Sequence, residues 1–193
     1  MLPATKDGWL ARWLPLIGER AAGLPILELG CGGGRDSEVL VTAGHKVVGI
    51  DLSAKAISNA RTRAPSAEFH CQDIQSPWPM TSAGVVLASL SLHYFSWPET
   101  TLLAERIRQV LRRDGVLLCR LNSTNDHHFG ASGHPPIADN YYLVDGEPKR
   151  FFDRAAADRL FASGWSTLGV EEKTIDRYDQ PKAVWEVVLE RDG

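Results

Sequence analysis

The sequence predicts one α/β domain, a mostly parallel sheet with helices on both faces. Three observations carry that. Short apolar, strand-like runs alternate with helical pieces from residue 26 to residue 121. A glycine-rich turn, ILELGCGGG over 26–34, joins the first run to the helix after it. Only a short link, about 179–182, separates the last two strand-like runs. That is too short for a parallel crossover, so the final strand must run antiparallel. With 193 residues, 44% of them apolar, the chain suits a single domain over 1–193 with one core.

The elements follow in order. Trp9, Trp13, Leu16 and Ile17 fall at helical spacing over 8–21, and Pro15 turns this into two short helices or a kink. Gly23 and Pro25 punctuate the chain before a strand at 26–29. Residues 35–43 read as a helix ending near Gly44, and 46–50 (KVVGI) as a second buried strand. Ser53 or Ala54 opens a helix that Pro65 stops; 68–71 and 85–89 are the third and fourth strands. Over 99–112, Leu102, Leu103, Ile107, Val110 and Leu111 form one apolar helix face. Asp114-Gly115 ends it, and 116–121 is the fifth strand. Asp153 is a candidate cap for a helix over 153–163, with Gly164 past its end. Strands over 166–175 and 183–190 finish the chain.

The net charge of −3, with no Lys/Arg run longer than Arg112-Arg113, lacks the basic footprint of a nucleic-acid binder. It suits a small-molecule partner. Cys31, Cys71 and Cys119 are odd in number, lack a CxxC pair and lie in or beside apolar runs. They read as reduced, buried thiols of a cytoplasmic protein. The first twenty residues carry Asp7, Arg12, Glu19 and Arg20, which argues against a signal peptide or a membrane span.

Ligands of open α/β sheets bind outside the carboxyl ends of the strands, where the glycine turn lies. Alone, such a turn is as readily plain punctuation as a place where a ligand nears the backbone. Three acids sharpen it. Asp51 ends the second strand, where a carboxylate accepts ribose hydroxyls. Asp73 follows the third, within reach of an adenine amine. Glu28 lies inside the first strand, a costly place for a charge unless a cationic group meets it. A dinucleotide fingerprint needs a spaced third glycine. Arg35 stands there instead, and the third glycine comes early, at Gly34. No Gly-Lys-Ser/Thr follows, so a P-loop is absent.

Together these runs resemble the class I S-adenosylmethionine-dependent methyltransferases. ILELGCGGGRDSEVL resembles that family's first motif, VVGIDLSAKAISNAR the next, with Asp51, and FHCQDI the adenine-site motif, with Asp73. VLASLSLHYF resembles the strand leading into its active site, and LRRDGVLLCRL its helix, turn and fifth strand. FFDRAAADRLFASGW and KAVWEVVLE resemble its last helix and strand. Within the family the chain looks most like a small bacterial branch that includes tellurite-resistance-type methyltransferases. One departure is Ala83-Gly84, where an acid often stands before the fourth strand; it reads as altered packing.

The resemblance implies a Rossmann-like seven-stranded sheet of order 3-2-1-4-5-7-6 with the last strand antiparallel. It implies S-adenosylmethionine as cofactor, S-adenosylhomocysteine as product, and SN2 methyl transfer to a small-molecule acceptor. The cofactor set is Glu28, Gly30, Cys31, Gly32, Gly34 and Arg35, with Asp51, Leu52, Asp73, Ile74 and Ser89. His93 and Tyr94 are the catalytic candidates after the fourth strand; alternatively His93 caps the strand end and Tyr94 packs in the core. Residues 1–24 form a helical cap in which Trp9 and Trp13 either cover the cofactor or pack on the sheet. Residues 122–150 form a substrate-side lid loop presenting Tyr141, Tyr142 and Arg150. His127, His128 and His134 lack Cys or paired-carboxylate partners at metal-ligand spacing, so no metal is expected. The fourth strand is followed by neither an Asn/Asp-Pro-Pro-aromatic stretch nor a Pro-Cys pair, and a loop with two glutamates is absent. DNA-amino, cytosine and protein-arginine acceptors are thereby disfavoured. No nucleic acid or membrane partner is expected, and the chain is read as a monomer or homodimer. The alternatives are a non-catalytic S-adenosylmethionine-binding protein and an NAD-dependent oxidoreductase.

Overall fold

Pro15 lies in the first turn of helix α1 (Leu14–Ala21), where its missing N–H leaves no bond unmade. A 3-10 turn, Ala11–Trp13, precedes it, so the N-terminal region is two short helices. The computed structural model describes residues 7–176 and 178–193; the first six residues of the expected cap lie outside it. Next come strand β1 (Ile26–Leu29), helix α2 (Arg35–Thr42), β2 (Val47–Asp51), α3 (Ala54–Arg63), β3 (Glu68–Cys71) and β4 (Ala83–Ser89). Helix α4 (Trp97–Val110) runs directly into β5 (Leu111–Asn122). The Ser53 hydroxyl caps α3, accepting from the Ala56 N–H at 3.2 Å. A capping box of Ser96 and Glu99 starts α4 two residues before its apolar periodicity shows.

The chain continues with β6 (Pro136–Ala138), β7 (Tyr141–Val144), β8 (Glu147–Arg150), α5 (Arg154–Leu160), β9 (Trp165–Ile175) and β10 (Lys182–Arg191). The main sheet has the order β3-β2-β1-β4-β5-β10-β9. β1 is parallel to β2 and β4, whereas β10 is antiparallel to both β5 and β9. With β9 and β10 as its sixth and seventh strands, this is the expected order. β1 is buried on both faces, as a central parallel strand must be. Successive residues point to opposite sides. Leu27 and Leu29 join a core with Leu103, Ile107 and Phe152, while Ile26 joins Ile17, Leu40 and Trp9.

The structure corrects several expectations. Residues 122–150 are not a lid loop. Within them β6, β7 and β8 form a separate antiparallel three-stranded sheet, whose last strand packs on the 3-10 turn Leu92–Tyr94. Its tight turn is Asp145-Gly146, both at positive φ (53° and 83°), the residue pair that two-residue hairpins favour. Helix α5 stops at Leu160, and Asp153 caps it by accepting from Ala156 N–H at 2.7 Å. Cys71, on edge strand β3, is exposed rather than buried. Trp9 belongs to the core, with the Arg120 guanidinium 4.2 Å over its ring, so it does not cover the ligand cavity. The missing acid at Ala83-Gly84 has a packing reason. A Cβ on Gly84 would stand 2.0 Å from the Arg20 carbonyl oxygen, at the end of α1.

Candidate functional site

A cavity of about 710 Å³ opens at the carboxyl ends of β1, β2 and β4. Its floor is the turn after β1. Gly30 and Cys31 both donate to the Ile50 carbonyl, at 2.8 and 2.9 Å, which ties the turn to β2. Gly30 has φ +73°, and a Cβ there would fall 2.4 Å from the Ser91 Cβ, so only glycine fits. Asp51 sits where β1 and β2 end. Its Oδ2 accepts from the Gly32 N–H and its Oδ1 from the Ser53 N–H, both at 2.9 Å. Two backbone amides thus fix the carboxylate, and each oxygen keeps acceptor capacity for a ligand hydroxyl.

Glu28 is 2% exposed, lines the cavity and accepts from the Ser37 hydroxyl of α2. Asp36, in the first turn of α2, lines it too. Asp73 accepts from the Gln75 N–H at 2.8 Å, with Ile74 beside it. Leu52 is 72% exposed on the same wall, an apolar surface of the kind a planar base covers. Behind the turn, the buried hydroxyls of Ser89 and Ser91 have no hydrogen-bond partner among the described residues. Leu90 between them sits at φ +59°, an uncommon conformation for a bulky residue that tends to mark functional sites. Of the residues expected to bind cofactor, Glu28, Gly30, Cys31, Gly32, Asp51, Leu52, Asp73, Ile74 and Ser89 meet in this cavity.

Gly34 and Arg35 do not line it. A Cβ on Gly34 would lie 2.9 Å from the Ala60 Cα, so this glycine lets α2 approach α3. Arg35 faces an outer groove with Glu38 and Arg63.

The far end of the cavity is built by Tyr94 and Phe95, by Glu147 and Lys149 of β8, and by Tyr178 from the β9–β10 connection. Of the two catalytic candidates only Tyr94 reaches this wall. Tyr94 is 41% exposed and lines the cavity; His93 is 4% exposed and lies behind the wall. Burial, and then the nearby Lys182 and Lys149 ammoniums, push His93 down to about 3, so it is neutral near pH 7. Burial also pushes the Tyr94 hydroxyl up. The Cys31 thiol is raised by burial and then by Glu28 and Asp51, which disfavours a thiolate there.

Tyr141, Tyr142 and Arg150, expected to touch substrate, stand behind the wall instead. Tyr141 donates its hydroxyl to the Tyr94 carbonyl at 3.2 Å, and Arg150 stacks 4.4 Å over the Tyr141 ring. Tyr142 packs on Phe151. Strand periodicity explains the substitution: Glu147 and Lys149 share one face of β8, and Arg150 is on the other. Asp36, Ser53, Leu90, Ser91, Phe95, Glu147, Lys149 and Tyr178 are the lining residues that sequence reasoning missed. Among the described residues no group of three or more His, Cys, Asp or Glu could hold a metal ion. No helix among them is long and apolar enough to cross a membrane.

The buried His93 carries a pH prediction. The unfolded chain binds a proton here near 6.5, the folded chain only near 3. Between those values the unfolded state holds more protons, so stability falls as pH falls. From pH 7 to pH 5 this group should cost about 2 kcal/mol. Urea unfolding of His93→Gln should lack that part of the acid limb; an unchanged limb would show that His93 is protonated in the fold.

Residues 27–119 match the protein family described as a methyltransferase domain. A trans-aconitate 2-methyltransferase of Paracidovorax citrulli is 35% identical over 100 residues, covering 50% of this chain and 38% of that protein. A probable 18S rRNA (guanine-N(7))-methyltransferase of Dictyostelium discoideum is 33% identical over 93 residues, 48% of this chain and 32% of the other. The chain thus spans less than half the length of either relative. Among solved structures, a methyltransferase described as SAM-dependent, from Methanosarcina mazei, superposes with TM-score 0.76 at 19% identity, covering 92% of this chain and 97% of the other. That likeness is one of fold. Residues 27–119, just under half of the chain, thus match a methyltransferase domain, and the chain shares its fold with a solved methyltransferase.

Proposed function

We propose that this protein transfers the methyl group of S-adenosylmethionine to a small-molecule acceptor. The observation that carries the reading is the Asp51 carboxylate, held by two backbone amides beside the glycine turn and open to the cavity. The wall fits the cofactor group by group. Glu28 offers a buried carboxylate for an amino group, Asp51 an acceptor pair for the ribose diol, and Asp73 an acceptor for the adenine amine. Leu52 and Ile74 offer apolar surface to the base, and Ser89 and Ser91 line the same space. When bound, S-adenosylmethionine supplies an electrophilic methyl group on a cationic sulfur. The protein's task is to hold the acceptor in line with it and keep water away. Tyr94 and Phe95 close that end, and Tyr94 is the remaining candidate for touching the acceptor.

A small-molecule acceptor is supported by the trans-aconitate enzyme among the relatives, and by the net charge of −3. The rRNA enzyme among them makes nucleic acid the acceptor to test against. The tellurite-resistance-type branch, a cytoplasmic location and a monomeric or homodimeric state rest on the sequence reading alone.

Isothermal titration with S-adenosylmethionine and with NADH, followed by an assay of S-adenosylhomocysteine release over mixed acceptors, tests the proposal. Binding of the first ligand only, with release on a small acceptor, is expected. NADH binding would favour the oxidoreductase reading, and binding without any release a regulatory protein.

A further inference from the structure

We propose that the methyl acceptor is a small acid with at least two carboxylates, one held by Lys149 and another methylated on oxygen. This rests on the methyl-transfer reading above. The charged residues lining the cavity come from two places. Glu28, Asp36, Asp51 and Asp73 come from the glycine turn and the strand ends around it. From β8 come Glu147 and Lys149. Glu147 is exposed at the rim, whereas Lys149 is half-buried. No carboxylate among the described residues pairs with Lys149. The next cation inward, Lys182, is already paired with Asp126 at 2.5 Å. Behind the same wall lies Arg150, buried, with its Nε unpartnered and its guanidinium stacked on Trp97 and Tyr141. A half-buried ammonium with no ion-pair partner among the described residues favours an anionic ligand in front of it. The four acids suit the cationic donor, and Lys149 suits an anionic acceptor.

Among the described residues, no histidine and no readily ionised thiol lines the wall as a base. His93 is interior and neutral, the Tyr94 hydroxyl and Cys31 thiol are both pushed up, and Glu147 is at the rim. An alcohol or an ammonium would have to lose a proton before attacking, with only the wall's carboxylates to take it. A carboxylic acid, with an ordinary pKa near 4, is ionised at neutral pH. Its oxygen forms the new carbon–oxygen bond as the methyl–sulfur bond breaks, and that bond's electron pair stays on sulfur. The attacked carboxylate becomes an uncharged ester group and the sulfonium an uncharged thioether, the second carboxylate keeps its charge, and no proton changes hands. Lys149 would dull the nucleophile if it gripped the attacking oxygen. A second carboxylate on the acceptor separates grip from attack.

The test titrates the protein, loaded with S-adenosylhomocysteine, with trans-aconitate, citrate and succinate, and with trimethyl trans-aconitate as the uncharged control. At least one acid should bind and the trimethyl ester should not. Lys149→Met should weaken that acid by roughly tenfold or more, the scale for losing a charged hydrogen-bond partner, and Lys149→Arg should largely retain it. S-adenosylmethionine affinity should be the same in all three proteins, and with S-adenosylmethionine in place of S-adenosylhomocysteine the acid that binds should give a base-labile methyl ester. The inference is overturned if none of the acids binds, if the triester binds equally well, if Lys149→Met changes nothing, or if phenols or amines alone accept the methyl group. Loss of S-adenosylmethionine binding by the parent protein would instead mark failure of the methyl-transfer reading itself.

Discussion

Asp51→Ala is expected to weaken S-adenosylmethionine binding by roughly 10- to 100-fold, read by isothermal titration. Removing one charged partner of a hydrogen bond costs about 1.5–3 kcal/mol, which is that range. Two effects add. The ribose loses its acceptor, and the Gly32 and Ser53 N–H groups lose the carboxylate that holds the turn beside β2. Asp51→Asn separates them, because an amide oxygen still accepts one bond without the charge. Its affinity should fall between those of the parent and the alanine variant. An unchanged affinity in Asp51→Ala would remove Asp51 from the site.

Lys182→Ala is expected to lower unfolding stability by about 3–5 kcal/mol, the cost of leaving a buried charge alone. Asp126 would be that charge: its side chain has 0% exposure and accepts from Lys182 Nζ at 2.5 Å. The Asp126 carboxylate also accepts from the Ala183 N–H at 3.2 Å, so the pair pins the segment after β5 to the start of β10. The Lys182 ammonium lies 4.6 Å from the Phe129 ring and 5.9 Å from that of Tyr178, and Tyr178 lines the cavity. The loss should therefore reach the acceptor end as well. Chemical denaturation of Lys182→Ala beside Lys182→Met/Asp126→Leu checks this. The double variant should recover part of the loss, since it leaves no bare charge. A single variant as stable as the parent would show that water already reaches Asp126.

The part of the cavity around the glycine turn was legible because each of its pieces is local. A strand end, the next turn and one acid identify Glu28, Asp51 and Asp73 within a few residues of the glycines, and parallel packing brings those ends together. The acceptor half was not legible, because β8 and the β9–β10 connection supply it from far along the chain. Strands of three or four residues with polar faces hid the second sheet, although Asp145-Gly146 was a visible hairpin signal. That Tyr94 and not His93 lines the cavity has a geometric reason. In the 3-10 turn Leu92–Tyr94, neighbouring residues point about 120° apart. Which of the two faces the cavity depends on how that turn docks on β8.

The most direct measurement is a crystal structure of the protein grown with S-adenosylhomocysteine. The account predicts the ribose hydroxyls on Asp51, the adenine between Leu52 and Ile74 with its amine at Asp73, and the amino group at the Glu28 end. The sulfur should face Tyr94 and Lys149. Nucleoside density outside this cavity, or a ribose away from Asp51, would contradict it.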